Sequence, residues 1–139
     1  MYNHILLAAD GSENALRAAK EAVKIALNNK ESLIDIVYVA DFEKSKSDVL
    51  HAGSSEALHF ERRKKVQNIE KLLTEANVNH KVTILHGIPG PEIVKYANNS
   101  KVDLVVIGSR GLNGLQEMVL GSVSHKVMKR VNCPALIVK

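Results

Sequence analysis

The sequence predicts an α/β fold with a single doubly wound, five-stranded parallel sheet and helices on both faces. Five short runs rich in β-branched residues and leucine alternate with longer amphipathic stretches along the 139 residues. That alternation is typical of βαβ units built around a parallel sheet. Several of the short runs are apolar almost throughout, as expected of strands that are covered on both faces. We therefore expect a Rossmann-like arrangement.

The five runs are the candidate strands. They comprise residues 5–9, 33–40, 82–85, 102–107 and 135–138. The last of them is short, apolar and C-terminal. If it lies at an edge of the sheet, its free backbone groups favour pairing with the same strand of a second copy, so we expect a homodimer through this strand.

The stretches between the first three runs have helical spacing. In the first stretch, Lys20, Glu21 and Lys24 fall opposite an apolar stripe, which consists of Ala15, Leu16, Ala19, Ala22, Val23, Ala26 and Leu27. A second helix is predicted to begin near Ser55 and to end at the turn of residues 77–79. Its apolar stripe consists of Val66, Ile69, Leu72, Leu73 and Ala76. The polar loop of residues 41–53 is predicted to be either a lid over the sheet or disordered.

Two shorter helices are predicted in the second half of the chain. One follows Pro89, because proline suits the first turn of a helix, and ends at residues 98–99. The other begins near Gly121 and stops before Pro134, since the residue ahead of a proline avoids helical geometry. Its inward positions are predicted to be Val123, Val127, Met128 and Val131.

Length and composition favour one domain over residues 1–139. Hydrophobic residues make up 45% of the chain, which is enough for one ordinary core. No run of about 18 apolar residues is present and the first residues do not resemble an export signal, so we expect a cytoplasmic protein with no membrane partner. The single cysteine, Cys133, suits a buried, reduced thiol.

The net charge of +4 is compatible with nucleic-acid binding. The densest basic run, residues 62–65, is however flanked by Glu61 and Glu70 in a helical pattern, as on a solvated helix face. Aromatic residues make up only 4% of the chain, so few side chains are available to stack on unpaired bases. We expect no nucleic-acid partner.

The loops after the first and fourth strands are the places to search for a ligand, because doubly wound sheets bind ligands where the winding direction reverses. After the fourth strand come Gly108-Ser109-Arg110-Gly111, nine further residues, and Gly121-Ser122 at a helix start. Unpaired amides and the helix dipole favour an anion there. The spacing differs from that of the common phosphate loop, and no Gly-x-Gly-x-x-Gly follows the first strand.

This glycine-serine spacing resembles the nucleotide-binding signature of the ATP-binding branch of the universal stress protein family. Asp10-Gly11-Ser12 after the first strand, the tail Cys133-Pro134 before the last strand, and the five-strand alternation agree with it. The resemblance covers essentially the whole chain. It implies an adenine nucleotide α-hydrolase-like variant of the Rossmann-like fold.

The resemblance also implies a ligand, ATP with ADP and AMP as alternatives, together with Mg²⁺. Adenine would lie between the end of the first strand, at Ala8 and Asp10, and the end of the second strand, at Val39. Ile107 and Gly108 would lie near the ribose. The residues around the phosphates would be Arg110, Gly111, Gly121, Ser122, Val123 and Ser124.

Each of these residues also has a structural interpretation. Asp10 and Ser12 are typical helix-capping residues, and Gly108 and Gly111 are typical of turns. Arg110 is equally well explained as an exposed loop residue. The six histidines are scattered, so no metal-ligating cluster is predicted.

Three functions are compatible with the sequence. The family resemblance implies a regulatory binding module whose nucleotide occupancy changes its partner surface during stress. The main alternative is a slow ATP hydrolase or phosphotransferase. Phosphoryl transfer normally needs a metal-holding carboxylate and a group that positions water. Glu117 is the only acidic residue between Gly108 and Ser122, a segment that we call the signature loop. We therefore predict no catalytic residue and at most weak ATPase activity. A third alternative, the family branch that works without ATP, lacks the glycine signature that this sequence has.

Overall fold

The computed structural model describes residues 2–40, 60, 63–109 and 121–139. In chain order its elements are β1 (His4–Ala9), α1 (Glu13–Ala26), β2 (Leu33–Ala40), α2 (Gln67–Glu75), β3 (His80–His86), α3 (Pro89–Asn99), β4 (Leu104–Gly108), α4 (Ser122–Arg130) and β5 (Ala135–Val138). The strands form one parallel sheet of order β3-β2-β1-β4-β5. The predicted α/β fold is confirmed. The winding direction reverses between β1 and β4.

Each face of the sheet has its own apolar core, because successive side chains of a strand point to opposite faces. On the face covered by α1 and α2, the buried strand residues include Ile5, Leu7, Ile34, Ile36 and Val106. On the face covered by α3 and α4, they include Leu6, Ala8, Val37, Val39, Val105 and Ile107. We call these the α1–α2 face and the α3–α4 face.

Helix α1 begins where the predicted capping residues lie. The Ser12 hydroxyl accepts a hydrogen bond from the Ala15 amide at 3.3 Å, as expected of an N-cap. Most of the predicted stripe is inward, with the alanines at positions 15, 19, 22 and 26 buried. Leu27 was wrongly predicted to be inward. It is 62% exposed, because it stands one residue beyond the helix, at its C-cap.

Two residues in the left-handed region end helices α2 and α3. Asn77 has a φ of 58° and Lys101 a φ of 53°, and the residue after each turn donates back to its helix. The Val102 amide donates to Ala97 O at 3.0 Å. Because this bond holds Val102 at the helix end, β4 begins at Leu104 rather than at position 102 as predicted. Strand β3 is longer at both ends than predicted.

Helix α4 begins at Ser122 and ends at Arg130, before Pro134 as predicted. Val127 is buried and Val123 is half-buried. Met128 was wrongly predicted to be inward and is 46% exposed. It is the neighbour of Val127, and one residue turns the helix by about 100°, so both cannot face the core.

Some predictions fall outside the described residues. They are the loop of residues 41–53 and the start of the second helix near Ser55. Among the helices that the structure describes, none is long and apolar enough to span a bilayer.

Candidate functional site

The carboxyl ends of β1, β2 and β4 and the start of α4 meet at one edge of the sheet. Helix α4 joins two parallel strands, so it runs antiparallel to them and its N-terminus lies at their carboxyl edge. This is the edge at which the winding direction reverses between β1 and β4. Doubly wound sheets bind their ligands at this position.

Four of the predicted site residues come together beneath this edge. The side chains of Ala8, Val39 and Ile107 belong to one core cluster on the α3–α4 face, and Val123 packs against it. Ala8 is 8% exposed, Val39 is 9% exposed and Ile107 is 5% exposed. Because their side chains are in the core, what these strand ends present to a ligand is chiefly backbone and a small apolar surface.

The start of α4 carries backbone donors without a side-chain cap. Gly121 is buried at the N-cap position with a φ of −64° and a ψ of 160°, and no side chain caps the helix there. The first amides of a helix have no partner within the helix, and the dipole makes this end positive. Any residue adopts these backbone angles, so the position does not require glycine for its conformation.

The two serines at this helix start differ. Ser122 is exposed. Ser124 is only 2% exposed, and its hydroxyl donates to Gly121 O at 3.1 Å. The structure thus commits the Ser124 hydroxyl as a donor within the helix start, whereas Ser122 presents its hydroxyl to the surface.

Gly108 is explained by the contact between β4 and α1. A Cβ atom at this position would lie 2.9 Å from Asn14 O and 3.0 Å from Asn14 Cβ, closer than carbon atoms tolerate without movement. Asn14 is buried in the first turn of α1. The absence of a side chain at Gly108 is therefore explained by the close approach of Asn14, a residue that was not predicted to matter.

The segment after β1 forms the predicted capping turn. Asp10 is exposed, and its Oδ1 accepts a hydrogen bond from the Ser12 amide at 2.9 Å. Gly11 has a φ of 85°, which favours glycine. This turn places one carboxylate at the carboxyl edge of β1. The remaining predicted site residues, Arg110 and Gly111, lie outside the described residues, as does Glu117.

A shallow groove with about 380 Å³ of empty space lies on the other face of the sheet, between the starts of α1 and α2. Its lining residues are Gly11, Ser12, Glu13, Leu16, Lys65, Asn68 and Ile69. Helix α4 covers the opposite face, so the groove and the start of α4 lie at the same edge but on different faces of the sheet.

A buried polar cluster surrounds Asp35 and was not predicted from the sequence. This aspartate is fully buried in β2. It accepts hydrogen bonds from Thr83 Oγ1 at 2.7 Å and from Tyr96 OH at 2.5 Å, and His4 Nε2 lies 3.1 Å from its Oδ2. The signal was present in the sequence, because an aspartate in the middle of an otherwise apolar strand must find partners once buried.

Metal and thiol chemistry have no prepared site in the described part of the chain. It holds no group of three His, Cys, Asp or Glu side chains placed to bind a metal ion. Cys133 is half-buried, and burial is the main reason that the pKa of its thiol is raised. A raised pKa disfavours the reactive thiolate. The thiol was predicted to be buried, and it is half-buried against the core of the α3–α4 face.

The sequence model of the universal stress protein family matches residues 1–139. This chain belongs to that family. It is 35% identical over 141 residues to universal stress protein MJ0531 of Methanocaldococcus jannaschii, a match that covers 100% of this chain and 83% of the relative. The predicted family is therefore confirmed.

Solved structures of family members share the fold. The structure of MJ0577, also from Methanocaldococcus jannaschii, matches with a TM-score of 0.82 and 35% identity, covering 100% of this chain and 96% of that one. A universal stress protein in complex with cAMP matches with a TM-score of 0.72 and 24% identity, covering 99% of this chain and 96% of that one. A family protein from Arabidopsis thaliana with AMP bound matches with a TM-score of 0.70 and 20% identity, covering 99% and 91%. Nucleotides are thus bound by proteins of this fold.

Proposed function

We propose that this protein binds an adenine nucleotide at the carboxyl edge of its sheet and acts as a nucleotide-dependent binding module in the response to stress. The start of α4 carries this proposal. Its first amides have no side-chain cap at Gly121, and it lies at the edge where the winding reverses. Orphan amides at the positive end of a helix bind phosphate groups.

The proposed ligand is ATP, with ADP and AMP as alternatives. The apolar ends of β1, β2 and β4, at Ala8, Val39 and Ile107, suit a flat base, and the start of α4 suits the phosphates. The AMP and cAMP complexes of proteins with this fold are consistent with an adenine base.

Mg²⁺ would accompany a triphosphate. This ion is commonly held by one or two carboxylates together with substrate phosphates. Asp10 is the exposed carboxylate at the end of β1, so the residues present are compatible with a metal bound mainly through the nucleotide. Such an ion would supply charge neutralisation for the phosphates.

We further propose a homodimer through β5. The sheet order puts β5 at an edge, which is the condition that the sequence prediction required. Leu136 on β5 is 36% exposed and Met128 on α4 is 46% exposed. Met128 lies about 200° around α4 from Lys126, whose side chain lies against Gly90 of α3. Both exposed apolar residues therefore flank the free edge.

Calorimetric titration with Mg·ATP, Mg·GTP and adenosine tests nucleotide binding. We expect Gly121→Val to lose ATP and keep its fold, because the branched side chain fills the space of the phosphates while the backbone angles remain allowed. Ser122→Ala should weaken ATP binding by about 0.5 to 3 kcal/mol, since one hydroxyl contact to a charged group is lost. Adenosine binding should change little in Ser122→Ala.

Ser100→Ala is the matched control, because Ser100 caps the opposite end of the neighbouring helix α3. It should leave ATP affinity unchanged. Equal ATP affinity in wild type and a folded Gly121→Val variant would show that Gly121 serves the fold and does not contact the phosphates. Absence of binding heat and of thermal stabilisation at millimolar ATP would contradict the proposed function itself, because a bound ligand raises the melting temperature.

A further inference from the structure

The outer surface of helices α3 and α4 carries a set of cations. Lys95 on α3 and Lys129 and Arg130 on α4 are exposed, and Lys126 on α4 is half-buried. We call these four residues the cationic face. The charged residues of this part of the sequence are almost all positive, since Glu117 is the only acidic residue from position 104 to position 139.

These four charges have no ion-pair partner among the residues that the structure describes. The described ion pairs of lysine and arginine lie elsewhere, joining Lys24 to Glu21, Arg63 to Glu70 and Lys81 to Asp35. The acidic residue of α3, Glu92, lies against Gly87, where a Cβ atom would be 2.7 Å from Glu92 Cγ. Its carboxylate is therefore turned toward Gly87 at the start of α3, one helical turn from Lys95, and forms no ion pair with Lys95.

The helix dipole explains only part of the pattern. Cations in a last turn stabilise a helix, and Lys129 and Arg130 are in the last turn of α4. Lys95 and Lys126 lie in the interiors of their helices, where the dipole effect has faded. The dipole therefore accounts for two of the four positions only.

Contacts between the two helices hold them together beneath these charges. Asn98 Nδ2 on α3 donates to Arg130 O at 3.3 Å, and the Asn132 amide donates to Asn98 Oδ1 at 2.9 Å. At the other end, the Lys126 side chain lies against Gly90, where a Cβ atom would be 3.0 Å from Lys126 Cδ. The cations are therefore presented by a fixed helix pair.

We propose that the cationic face binds an acidic segment of a partner protein. Three of the cations lie on α4, which is about 13 Å long, and the fourth lies on the neighbouring α3. A patch of four cations matches a short acidic segment better than a nucleic acid, because a protein that makes about 6 to 10 phosphate contacts needs more cations than these. The aromatic residue of α3, Tyr96, is half-buried and donates its hydroxyl to the buried Asp35, so its ring is anchored to the core rather than free to stack on a base.

A membrane surface is a poorer match. Helices that lie on bilayers insert a wide apolar face. The apolar faces of α3 and α4 are occupied by the core, where Ile93, Ala97 and Val127 are buried. Charge complementarity with carboxylates is therefore the recognition that this face offers.

The test is fluorescence anisotropy with labelled poly-L-glutamate, using the full chain without nucleotide, so that its outcome is independent of the proposed nucleotide site. The triple variant Lys95→Glu/Lys129→Glu/Arg130→Glu should bind at least about tenfold more weakly, because several modest exposed ion pairs become repulsive. The matched control, Lys20→Glu/Lys30→Glu/Lys71→Glu, reverses three exposed lysines away from this face, on or next to α1 and α2. It changes the net charge equally and should retain affinity within about threefold, because the exposed charges that it alters lie beyond the screening length of the bound peptide.

Melting curves establish that both triple variants are folded. If the first is not, Lys95→Gln/Lys129→Gln replaces it, with a smaller loss in the same direction expected. Equal losses in the test and control variants would overturn the proposal, because net charge alone would then explain binding. Absence of binding by wild type would also overturn it. Wild type could also bind duplex DNA or phosphatidylserine vesicles more tightly than poly-L-glutamate. If the triple variant loses that binding, the proposal is overturned and the partner of the cationic face is that nucleic acid or membrane.

Discussion

At the scale of single residues, Asp35 is the clearest case of polar chemistry inside this core. Its carboxylate joins β2 to β3 through Thr83, to α3 through Tyr96 and to β1 through His4. A buried polar group is tolerated only when it is hydrogen-bonded. The cluster therefore ties three strands and one helix at the end of the sheet away from the candidate ligand site.

Replacing Asp35 should destabilise the protein through the partners it leaves behind. We expect Asp35→Ala to lower the free energy of unfolding by about 2 to 5 kcal/mol, because the Thr83 and Tyr96 hydroxyls lose their acceptor. Asp35→Asn keeps the volume and one acceptor and should cost less. Urea denaturation measures both.

The control for these variants is Glu31→Ala, since Glu31 is exposed. Exposed substitutions usually stay within about 0.5 kcal/mol of wild type. An Asp35→Ala variant as stable as Glu31→Ala would mean that the cluster contributes nothing to folding.

At the scale of elements, the outer edge of β5 decides how two copies can meet. Pro134 O accepts from the Val105 amide of β4, and Val138 O accepts from the amide of Ser109, the residue after β4. Backbone groups alternate sides along a strand, so the N–H of Ile137 points to the free edge. Proline at position 137 therefore removes a donor from the free edge while leaving the bonds to β4 in place.

Ile137→Pro should convert the proposed dimer into a monomer in light scattering at micromolar concentration. Ile84→Pro is a matched control at the opposite edge. The Asn79 carbonyl accepts from Ile34 and the Gly87 amide donates to Ala40, so the backbone groups of the odd-numbered residues of β3 point to β2. Because backbone groups alternate sides along a strand, the N–H of Ile84 points away from the sheet. A monomeric wild type, or a folded Ile137→Pro variant that stays dimeric, would contradict pairing through β5.

At the scale of the whole molecule, we expect binding without efficient turnover. Enzymes commonly turn over at about 10 per second, and the signature loop has Glu117 as its only acidic residue. Phosphate release from Mg·ATP should therefore be far slower than that, while ATP still raises the melting temperature. The Gly121→Val variant, purified in the same way, corrects for contaminating ATPases. A rate near 10 per second that this variant abolishes would favour the enzyme alternative.

The sequence by itself determined the elements and most of their inward faces. Periods of 2.0 and 3.6 residues are local properties, so the strands, the buried alanines of α1 and the cap at Ser12 could be predicted from neighbouring residues alone. The family was also determined at this level, because the glycine-serine spacing and the Asp-Gly-Ser turn are short, contiguous patterns. The resemblance implied that Ala8, Val39, Ile107 and Val123 contact different parts of one nucleotide, and the fold brings their side chains into the core of the α3–α4 face.

Only the tertiary structure decided which distant residues meet. The edge position of β5, the contact of Gly108 with Asn14, and the partners of Asp35 depend on the sheet order and on how helices pack across it. The exposure of Met128 and the late start of β4 were likewise decided by three-dimensional contacts. These features arise between residues far apart in the chain, and their energies come from packing and from hydrogen bonds that the folded core alone provides.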